Sequence, residues 1–241
     1  MELNTILNGD CLSLMKEIPN EYVDIIVTSP PYNKSKVGGE IVKSISYDKY
    51  NDAVEEHQYQ TWQKEILAEC FRILKQDGHM FYNHKNRYVN GVQISPLEWI
   101  MSSNFVVRQE IVWDRAIAGN IRGWRFWQVD ERIYWLQKPD AQKKEIKSSV
   151  ASLTNIWRLS PEQRKYTNHP CAYPISLADR CLNVEDDLEG KIVFDPFMGS
   201  GTTAIAAIRN KCNYLGIELS QDYIDIANER IKFELRNLKL F

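Results

Sequence analysis

The chain has 241 residues, of which 44% are hydrophobic and 26% charged, a composition typical of one fairly large globular domain or one domain with an insertion. Its formal net charge of −2, from 30 basic and 32 acidic residues, excludes a protein that coats nucleic acid by charge alone. No apolar run is long enough to span a bilayer, and the N-terminus lacks the basic start and apolar stretch of a secretory signal, so we expect no membrane partner.

The cysteine pattern favours a reducing compartment. The five cysteines are scattered, odd in number and without a CxxC pair, which predicts free thiols in a cytoplasmic protein and argues against a zinc site. His57, His79 and His84 also lack metal-ligand spacing, and we interpret them as ordinary surface or core residues. The sequence therefore predicts no metal.

The predicted elements of the first half begin with a short strand (residues 3–7), a short helix (11–18) and a buried strand (22–27). Residues 34–50 contain paired glycines and predict a long mobile loop. The apolar stripe in residues 56–75 predicts the longest helix of this half. Strands are then expected at 78–83, 105–113 and 132–137, and residues 138–160 are polar and irregular.

The C-terminal part alternates between helices and strands. Helices are predicted at residues 175–184, 202–211 and 221–235, and strands at 191–195 and 214–218. Strands that alternate with helices indicate an α/β fold with a largely parallel sheet.

A glycine-rich stretch, FDPFMGSGTTAIAA at residues 194–207, follows one of these strands and opens a helix. Gly199 and Gly201 allow the backbone to approach a ligand at the carboxyl end of the strand, where doubly wound sheets bind ligands. No lysine follows Gly201, which excludes a phosphate-binding P-loop, whereas Ala204 in place of a third glycine leaves a dinucleotide site open.

The acidic strand ends favour another ligand. Asp195 would repel a pyrophosphate, but it could pair with the ammonium of S-adenosylmethionine, a cationic donor of methyl groups. Glu218, at the tip of the next strand, is placed to accept hydrogen bonds from ribose hydroxyls. The simpler interpretation is a glycine-rich turn in which Thr202 caps a helix.

The segment TSPPYN, residues 28–33, predicts a second ligand site where another strand ends. Consecutive prolines have no backbone N–H donors and present their carbonyl oxygens outward. The Ser29 hydroxyl and a proline carbonyl form an acceptor pair for the two hydrogens of an exocyclic amino group, and Tyr32 offers a flat face to a base. The alternative is a proline-kinked turn without a ligand.

Together, TSPPY and FDPFMGSGTT resemble the catalytic motif [DNS]PP[YFW] and the cofactor motif of the DNA amino-methyltransferases, which make N6-methyladenine or N4-methylcytosine. The catalytic motif comes first here, an order that resembles the circularly permuted β group. The resemblance implies a Rossmann-like fold dependent on S-adenosylmethionine, with helices on both faces of a mostly parallel sheet. It also implies one catalytic domain over residues 1–241, with a small target-recognition region inserted at about 115–165.

The resemblance assigns roles to individual residues. Ser29, Pro30, Pro31 and Tyr32 would bind the flipped target base. The residues that would hold S-adenosylmethionine are Asp10, Asn168, His169, Pro170, Asp195, Pro196, Phe197, Gly199, Gly201, Thr202 and Glu218. The implied activity is site-specific methylation of an exocyclic amino group in double-stranded DNA, as in restriction–modification systems. Extruding the base costs about a few kcal/mol.

Contacts to DNA are expected from the basic middle third of the chain. Arg115, Arg122 and Arg125 lie in a segment rich in tryptophan and glycine and could neutralise phosphates, and Lys34 follows the catalytic motif. One interpretation places the aromatic residues of this segment in the core under a hairpin, and we favour it for the two tryptophans. The alternative is that one of them fills the gap left by the flipped base. These aromatic residues are Trp124, Phe126 and Trp127.

Several alternatives remain beside this interpretation. Pro170-Cys171 resembles the nucleophile of enzymes that methylate cytosine at C5, but an exocyclic nitrogen needs no covalent step, so we expect Cys171 to be structural. An N-methyltransferase of RNA bases or protein glutamine is disfavoured by the motif order. A DNA-binding relative without turnover is disfavoured by the intact Ser29, Tyr32 and Asp195.

Ser29 in place of an aspartate slightly favours cytosine N4 over adenine N6 as the target, since serine is commoner in the cytosine enzymes of the family. The resemblance further suggests a homodimer and a cognate restriction endonuclease. A cytoplasmic, nucleoid-associated location in a prokaryote or virus also follows from it.

Overall fold

The computed structural model describes residues 1–33, 36–37, 40–41, 54–118, 123–142, 146, 154–161 and 172–238. Its strands are β1 Thr5–Asn8, β2 Val23–Thr28, β3 Lys36–Val37, β4 Glu40–Ile41, β5 Leu74–His84, β6 Arg87–Val89, β7 Val92–Ile94, β8 Val106–Asp114, β9 Asp130–Gln137, β10 Ile156–Arg158, β11 Ile192–Asp195 and β12 Asn213–Glu218. Its helices are α1 Cys11–Met15, α2 Glu56–Ile73, α3 Leu97–Ile100, α4 Ile175–Leu182, α5 Thr202–Arg209 and α6 Gln221–Leu238.

Eight strands form one sheet in the order β1-β12-β11-β2-β5-β9-β8-β10. The strands from β1 to β5 in this order pair in parallel, β9 is antiparallel to both of its neighbours, and β10 is parallel to β8. β11 therefore lies beside β2 although the two are far apart in the chain. Their carboxyl ends meet at one edge of the sheet, which confirms the predicted mostly parallel α/β architecture.

Helices cover both faces of this sheet. On β2, Ile25 and Val27 pack into a core with α4 and α5, whereas Val23 and Ile26 pack into a second core with α1, α2 and α3. The strands therefore carry apolar residues on both faces, as expected for a buried parallel sheet. This double burial fixes the register of β2, and with it the position of the segment that follows Thr28.

The helix predicted at residues 56–75 ends at Ile73, because Leu74 already pairs with Val23 as the first residue of β5. The β6–β7 hairpin, α3 and β10 were not predicted. Asn90-Gly91 turns the hairpin with φ of 50° and 79°, and such an Asn-Gly pair is a strong hairpin signal. β10, inside the segment expected to be irregular, is too short for a periodic pattern.

The predicted loop and the predicted recognition region are only partly covered by the described residues. Of the loop predicted at residues 34–50, only the antiparallel pairing of β3 with β4 is described. Within residues 115–165, β9 and β10 belong to the main sheet, so a recognition region there is confined to the connecting segments. Among the described residues, no helix combines the length and apolar character needed to cross a membrane, and no cluster of His, Cys, Asp and Glu could hold a metal.

Candidate active site

A cavity opens at the carboxyl ends of β1, β2, β11 and β12. It contains about 1030 Å³ of space free of protein atoms, part of which is open to solvent, and this volume suits a cofactor-sized ligand. Nine of the predicted site residues line it: Asp10, Ser29, Pro31, Tyr32, Pro196, Phe197, Gly199, Thr202 and Glu218. The two predicted motifs therefore share one cavity.

The glycine-rich turn forms one wall of the cavity. Gly199 and Gly201 have φ of 52° and 83°, in the left-handed region that favours glycine. A Cβ on Gly201 would lie 2.9 Å from the Cβ of Ala227, so this glycine also allows α6 to pack against the turn. Gly201, not Thr202, is the N-cap of α5, which corrects the capping role considered for that threonine.

Two carboxylates face the cavity. Glu218 at the end of β12 accepts hydrogen bonds from the backbone N–H groups of Gly199 (2.8 Å) and Ser220 (2.9 Å), one on each oxygen. Burial raises the pKa of Glu218. Asp10 is the N-cap of α1 and accepts from Ser13 through Oδ1, and the described residues provide no partner for its Oδ2. Both side chains keep acceptor capacity toward the cavity.

Asp195 ends β11 beneath the cavity and does not line it. Its Oδ1 accepts from Thr28 Oγ1 (2.8 Å) and from the backbone N–H of Phe197 (2.9 Å). Its Oδ2 accepts from Thr203 Oγ1 (2.6 Å) and Tyr173 Oη (3.1 Å), and burial raises the pKa of the carboxyl. The direct pairing with the cofactor ammonium that we expected is therefore not supported. Asp195 instead ties the end of β2 to the glycine-rich turn.

The Ser29 and Tyr32 hydroxyls form the core of the second motif. Ser29 Oγ lies 2.6 Å from Tyr32 Oη, which donates to Glu131 Oε2 at 2.9 Å. Asn83 Nδ2 donates to Tyr32 Oη (2.7 Å) and to Glu131 Oε2 (3.0 Å). On the other side of Glu131, its Oε1 lies 3.1 Å from Arg115 Nη1. Ser29 therefore belongs to a buried hydrogen-bonded chain.

The carbonyl groups of the two prolines differ in their hydrogen bonding. The Pro31 carbonyl accepts a hydrogen bond from Tyr59 Oη at 2.7 Å, which corrects the expectation that the prolines leave their carbonyls free. Tyr59 is fully buried on α2, and its hydroxyl also contacts His84 Nε2 (2.6 Å) and Gln63 Nε2 (2.9 Å). The Tyr32 ring lies on His84, with ring centroids 4.6 Å apart. The catalytic segment therefore rests on a buried polar network.

Sequence reasoning missed Glu131, Asn83 and Tyr59. Asn83 and Glu131 come together only because β5 pairs with β9, a long-range contact that no local pattern announces. Tyr59 was expected on the buried stripe of α2, but its hydrogen bond to Pro31 depends on how α2 packs beneath the loop. His79 and His84 are buried, as expected of core residues.

The aromatic residues of the middle third are exposed, which corrects the expected place of the two tryptophans in the core. Phe126 is 98% exposed, Trp127 61% and Trp124 58%. The guanidinium of Arg125 lies 4.2 Å from the ring centroid of Tyr88, on the β6–β7 hairpin, and 5.7 Å from that of Trp124. These residues form an exposed aromatic–arginine cluster. Lys34, Arg122, Asn168, His169, Pro170 and Cys171 lie outside the described residues.

Comparisons with known proteins agree with this geometry. A family model described as DNA methylase, of the N6 and N4 type, matches residues 23–229. The chain is 31% identical to the type II methyltransferase M.HinfI of Haemophilus influenzae, over 95% of this chain and 68% of that protein. It is 27% identical to the DNA adenine methyltransferase YhdJ of Escherichia coli, over 95% of this chain and 83% of that protein.

Two solved structures share the fold. The cytosine-N4-specific PvuII DNA methyltransferase superposes with a TM-score of 0.75 at 20% identity, over 97% of this chain and 92% of that one. TTHA0409 of Thermus thermophilus in complex with S-adenosyl-L-methionine superposes with a TM-score of 0.69 at 24% identity, over 96% of this chain and 94% of that one.

Proposed function

Since the chain belongs to the DNA methylase family of the N6 and N4 type, we propose that it transfers a methyl group from S-adenosylmethionine to the exocyclic amino group of a base in double-stranded DNA. The observation that carries this proposal is the shared cavity. Ser29, Pro31 and Tyr32 line it together with the glycine-rich turn, because β2 and β11 are neighbours whose carboxyl ends meet. A base held by one motif would therefore face a donor held by the other.

The chemistry of the cavity fits S-adenosylmethionine. This cofactor supplies an electrophilic methyl group on a sulfonium when it is bound. Asp10 and Glu218 provide carboxylate oxygens that would accept from its hydroxyls and amino groups, and Gly199 allows its backbone to come close. Pro196, Phe197 and Thr202 complete this wall. Gly201 and Asp195 would act from behind it, by holding the turn in shape, and Asn168, His169 and Pro170 are assigned to the cofactor on the resemblance alone.

On the acceptor side, Ser29 Oγ would accept one hydrogen of the base amine. The Pro31 carbonyl is bonded to Tyr59, so Pro30, whose backbone carbonyl is the other proline acceptor, would supply the second contact. Tyr32 would stack on the base through the ring face opposite to His84. Holding the amine in line with the methyl group could lower the barrier by about 7 kcal/mol or more.

The aromatic–arginine cluster would contact the DNA beside the cavity. Gln128 Nε2 donates to the Asn86 carbonyl at 3.2 Å, which ties this segment to the end of β5 near Asn83. Arg125 can neutralise a phosphate, and exposed Phe126 can enter the gap left by an extruded base. Arg115 is paired with Glu131 and is assigned to DNA on the sequence alone. Lys34 and Arg122 are assigned to DNA on the sequence alone.

Ser29 favours cytosine N4 over adenine N6 as the target, as the resemblance suggests. We also propose, on the resemblance, a target-recognition region within residues 115–165 and a homodimer. The same resemblance suggests a cognate restriction endonuclease and a cytoplasmic, nucleoid-associated location.

Transfer of a labelled methyl group tests the activity. The chain is incubated with S-adenosylmethionine labelled in its methyl group and, separately, with duplex DNA, RNA or protein. We expect label in DNA alone. Label in RNA or protein with none in DNA would contradict the proposal and favour the related RNA or protein-glutamine methyltransferases.

A further inference from the structure

The hydrogen bonds that link Ser29, Tyr32 and Glu131 at the catalytic motif can run in only one donor-to-acceptor direction. Tyr32 carries a single hydroxyl proton and donates it to Glu131 Oε2 at 2.9 Å. Because Ser29 Oγ lies only 2.6 Å from Tyr32 Oη, a proton must lie between the two oxygens, and only Ser29 can supply it. The serine proton is therefore used by Tyr32, and Asn83 Nδ2, 3.3 Å away, donates to one lone pair of the Ser29 oxygen. The other lone pair remains as an acceptor for a ligand in the cavity that Ser29 lines.

The surroundings of Glu131 maintain this direction. Asn83 Nδ2 faces all three members of the chain as a donor, with Tyr32 Oη at 2.7 Å, Glu131 Oε2 at 3.0 Å and Ser29 Oγ at 3.3 Å. A donor at these oxygens supports the direction from Ser29 to Glu131 and cannot reverse it. Arg115 Nη1 lies 3.1 Å from Glu131 Oε1 and balances the carboxylate charge. Glu131 is only 5% exposed, and at such a site hydrogen bonds in series strengthen one another.

We propose that Glu131 is a positioning residue that makes Ser29 an obligate hydrogen-bond acceptor for the base amine. The inference rests on the proposed function and deepens it. It explains how a buried carboxylate, acting through Tyr32, orients the hydroxyl group of a neutral serine. Glu131 acts through Tyr32 and Ser29 and does not itself line the cavity that would receive the base.

The same chain provides a path for the proton that the amine must lose. The amine nitrogen forms a bond to the methyl carbon, and the carbon–sulfur bond breaks with its electron pair remaining on sulfur. One amine proton passes to Ser29 Oγ as the hydroxyl protons of Ser29 and Tyr32 each move one place, and Glu131 becomes a carboxylic acid. The positive charge of the sulfonium and the negative charge of Glu131 are both lost, so the charges balance.

The test compares Glu131→Gln with a matched control, Glu110→Gln. Glu110 lies on β8, pairs with Arg132 and is remote from the cavity lining. For Glu131→Gln we expect a single-turnover methylation rate about 10- to 100-fold lower. The dissociation constants for S-adenosylmethionine and DNA should stay within about twofold, whereas the control should keep its rate. An undiminished rate for Glu131→Gln would overturn the inference.

A double-mutant cycle separates positioning from a merely structural role. In Tyr32→Phe the chain is already broken, so adding Glu131→Gln should lower the rate by less than about threefold. Equal losses in both backgrounds would overturn the inference. A lower affinity of Glu131→Gln for S-adenosylmethionine, with no change in single-turnover rate, would do the same.

A measurement on the unaltered chain tests the proton path even if Glu131→Gln does not fold. We expect slower single-turnover methylation in D₂O, with a curved dependence on the deuterium fraction, and an identical rate in both solvents would overturn the path. If the unaltered chain methylates no DNA, the proposed function fails and this inference fails with it. Normal methylation with an unaffected Glu131→Gln variant overturns this inference alone.

Discussion

The buried network beneath the catalytic segment makes Tyr59→Phe an informative substitution. The Tyr59 hydroxyl donates to the Pro31 carbonyl at 2.7 Å, so its single proton is used there. His84 Nε2, 2.6 Å away, and Gln63 Nε2, 2.9 Å away, must then donate to the Tyr59 oxygen. Phenylalanine at this position keeps the aromatic ring and removes all three hydrogen bonds. Because Tyr59 is fully buried, water cannot replace them.

The cost of Tyr59→Phe follows from these bonds. Three buried partner groups lose a hydrogen bond worth about 1 kcal/mol each, so unfolding should become about 3 kcal/mol easier. For a chain of this size that corresponds to a fall in Tm of about 6 to 12 °C. The Pro31 carbonyl also loses its only described donor, so the catalytic segment should loosen and single-turnover methylation should fall about tenfold.

Calorimetry or a circular dichroism melt measures the first effect, and rapid-quench methylation measures the second. Tyr214→Phe is the matched control, because this buried tyrosine has no side-chain hydrogen bond among the described residues and should melt within about 2 °C of the unaltered chain. The reasoning is refuted if Tyr59→Phe melts together with the control, since the three bonds would then contribute nothing measurable.

Three further substitutions test other parts of the structure. His79 and Lys191 lower the pKa of Glu185 from 4.5 to about 2, so its stabilising effect is complete above pH 4.5 and is lost as the pH falls toward 2. The free energy of unfolding in urea should fall by up to about 3 kcal/mol as the pH decreases through that window. In Glu185→Gln this dependence of the free energy on pH should be much weaker. Phe126→Ala should leave the free energy of unfolding within about 0.5 kcal/mol, because the ring is exposed, yet weaken DNA binding about fivefold in a fluorescence anisotropy titration. Unchanged DNA affinity would remove the aromatic–arginine cluster from the DNA interface. Glu218→Ala should raise the dissociation constant for S-adenosylmethionine at least tenfold by isothermal titration, whereas Asp222→Ala, on the exposed first turn of α6, should not. Equal affinities in these two variants would show that Glu218 does not hold the cofactor.

Local patterns were enough to predict most of the fold. The buried strands around Ile25 and Phe194 and the amphipathic α2 have strong periodicity, and they were located within a few residues. The two motifs were expected at strand ends, and the adjacency of β2 and β11 brings them into one cavity.

What the sequence could not predict depends on long-range contacts or on the direction of a side chain. Asp195 ends a strand as expected, yet its carboxylate turns inward, where four donors surround it. Glu131 reaches Tyr32 only through the pairing of β5 with β9. Trp124 and Trp127 were expected in the core because aromatic residues are usually buried, and that general tendency gave the wrong result at a surface that we assign to DNA.

The central claim is that this chain methylates an exocyclic amino group of DNA and that Ser29 accepts a hydrogen bond from that group. The most direct measurement is mass spectrometry of nucleosides from duplex DNA treated with the unaltered chain, with Ser29→Ala, and with Ser102→Ala, a remote exposed serine, as control. We predict N4-methylcytosine or N6-methyladenine from the unaltered chain and the control, and about 100-fold less from Ser29→Ala. Cytosine methylated at C5, no modified base, or full activity of Ser29→Ala would contradict the claim.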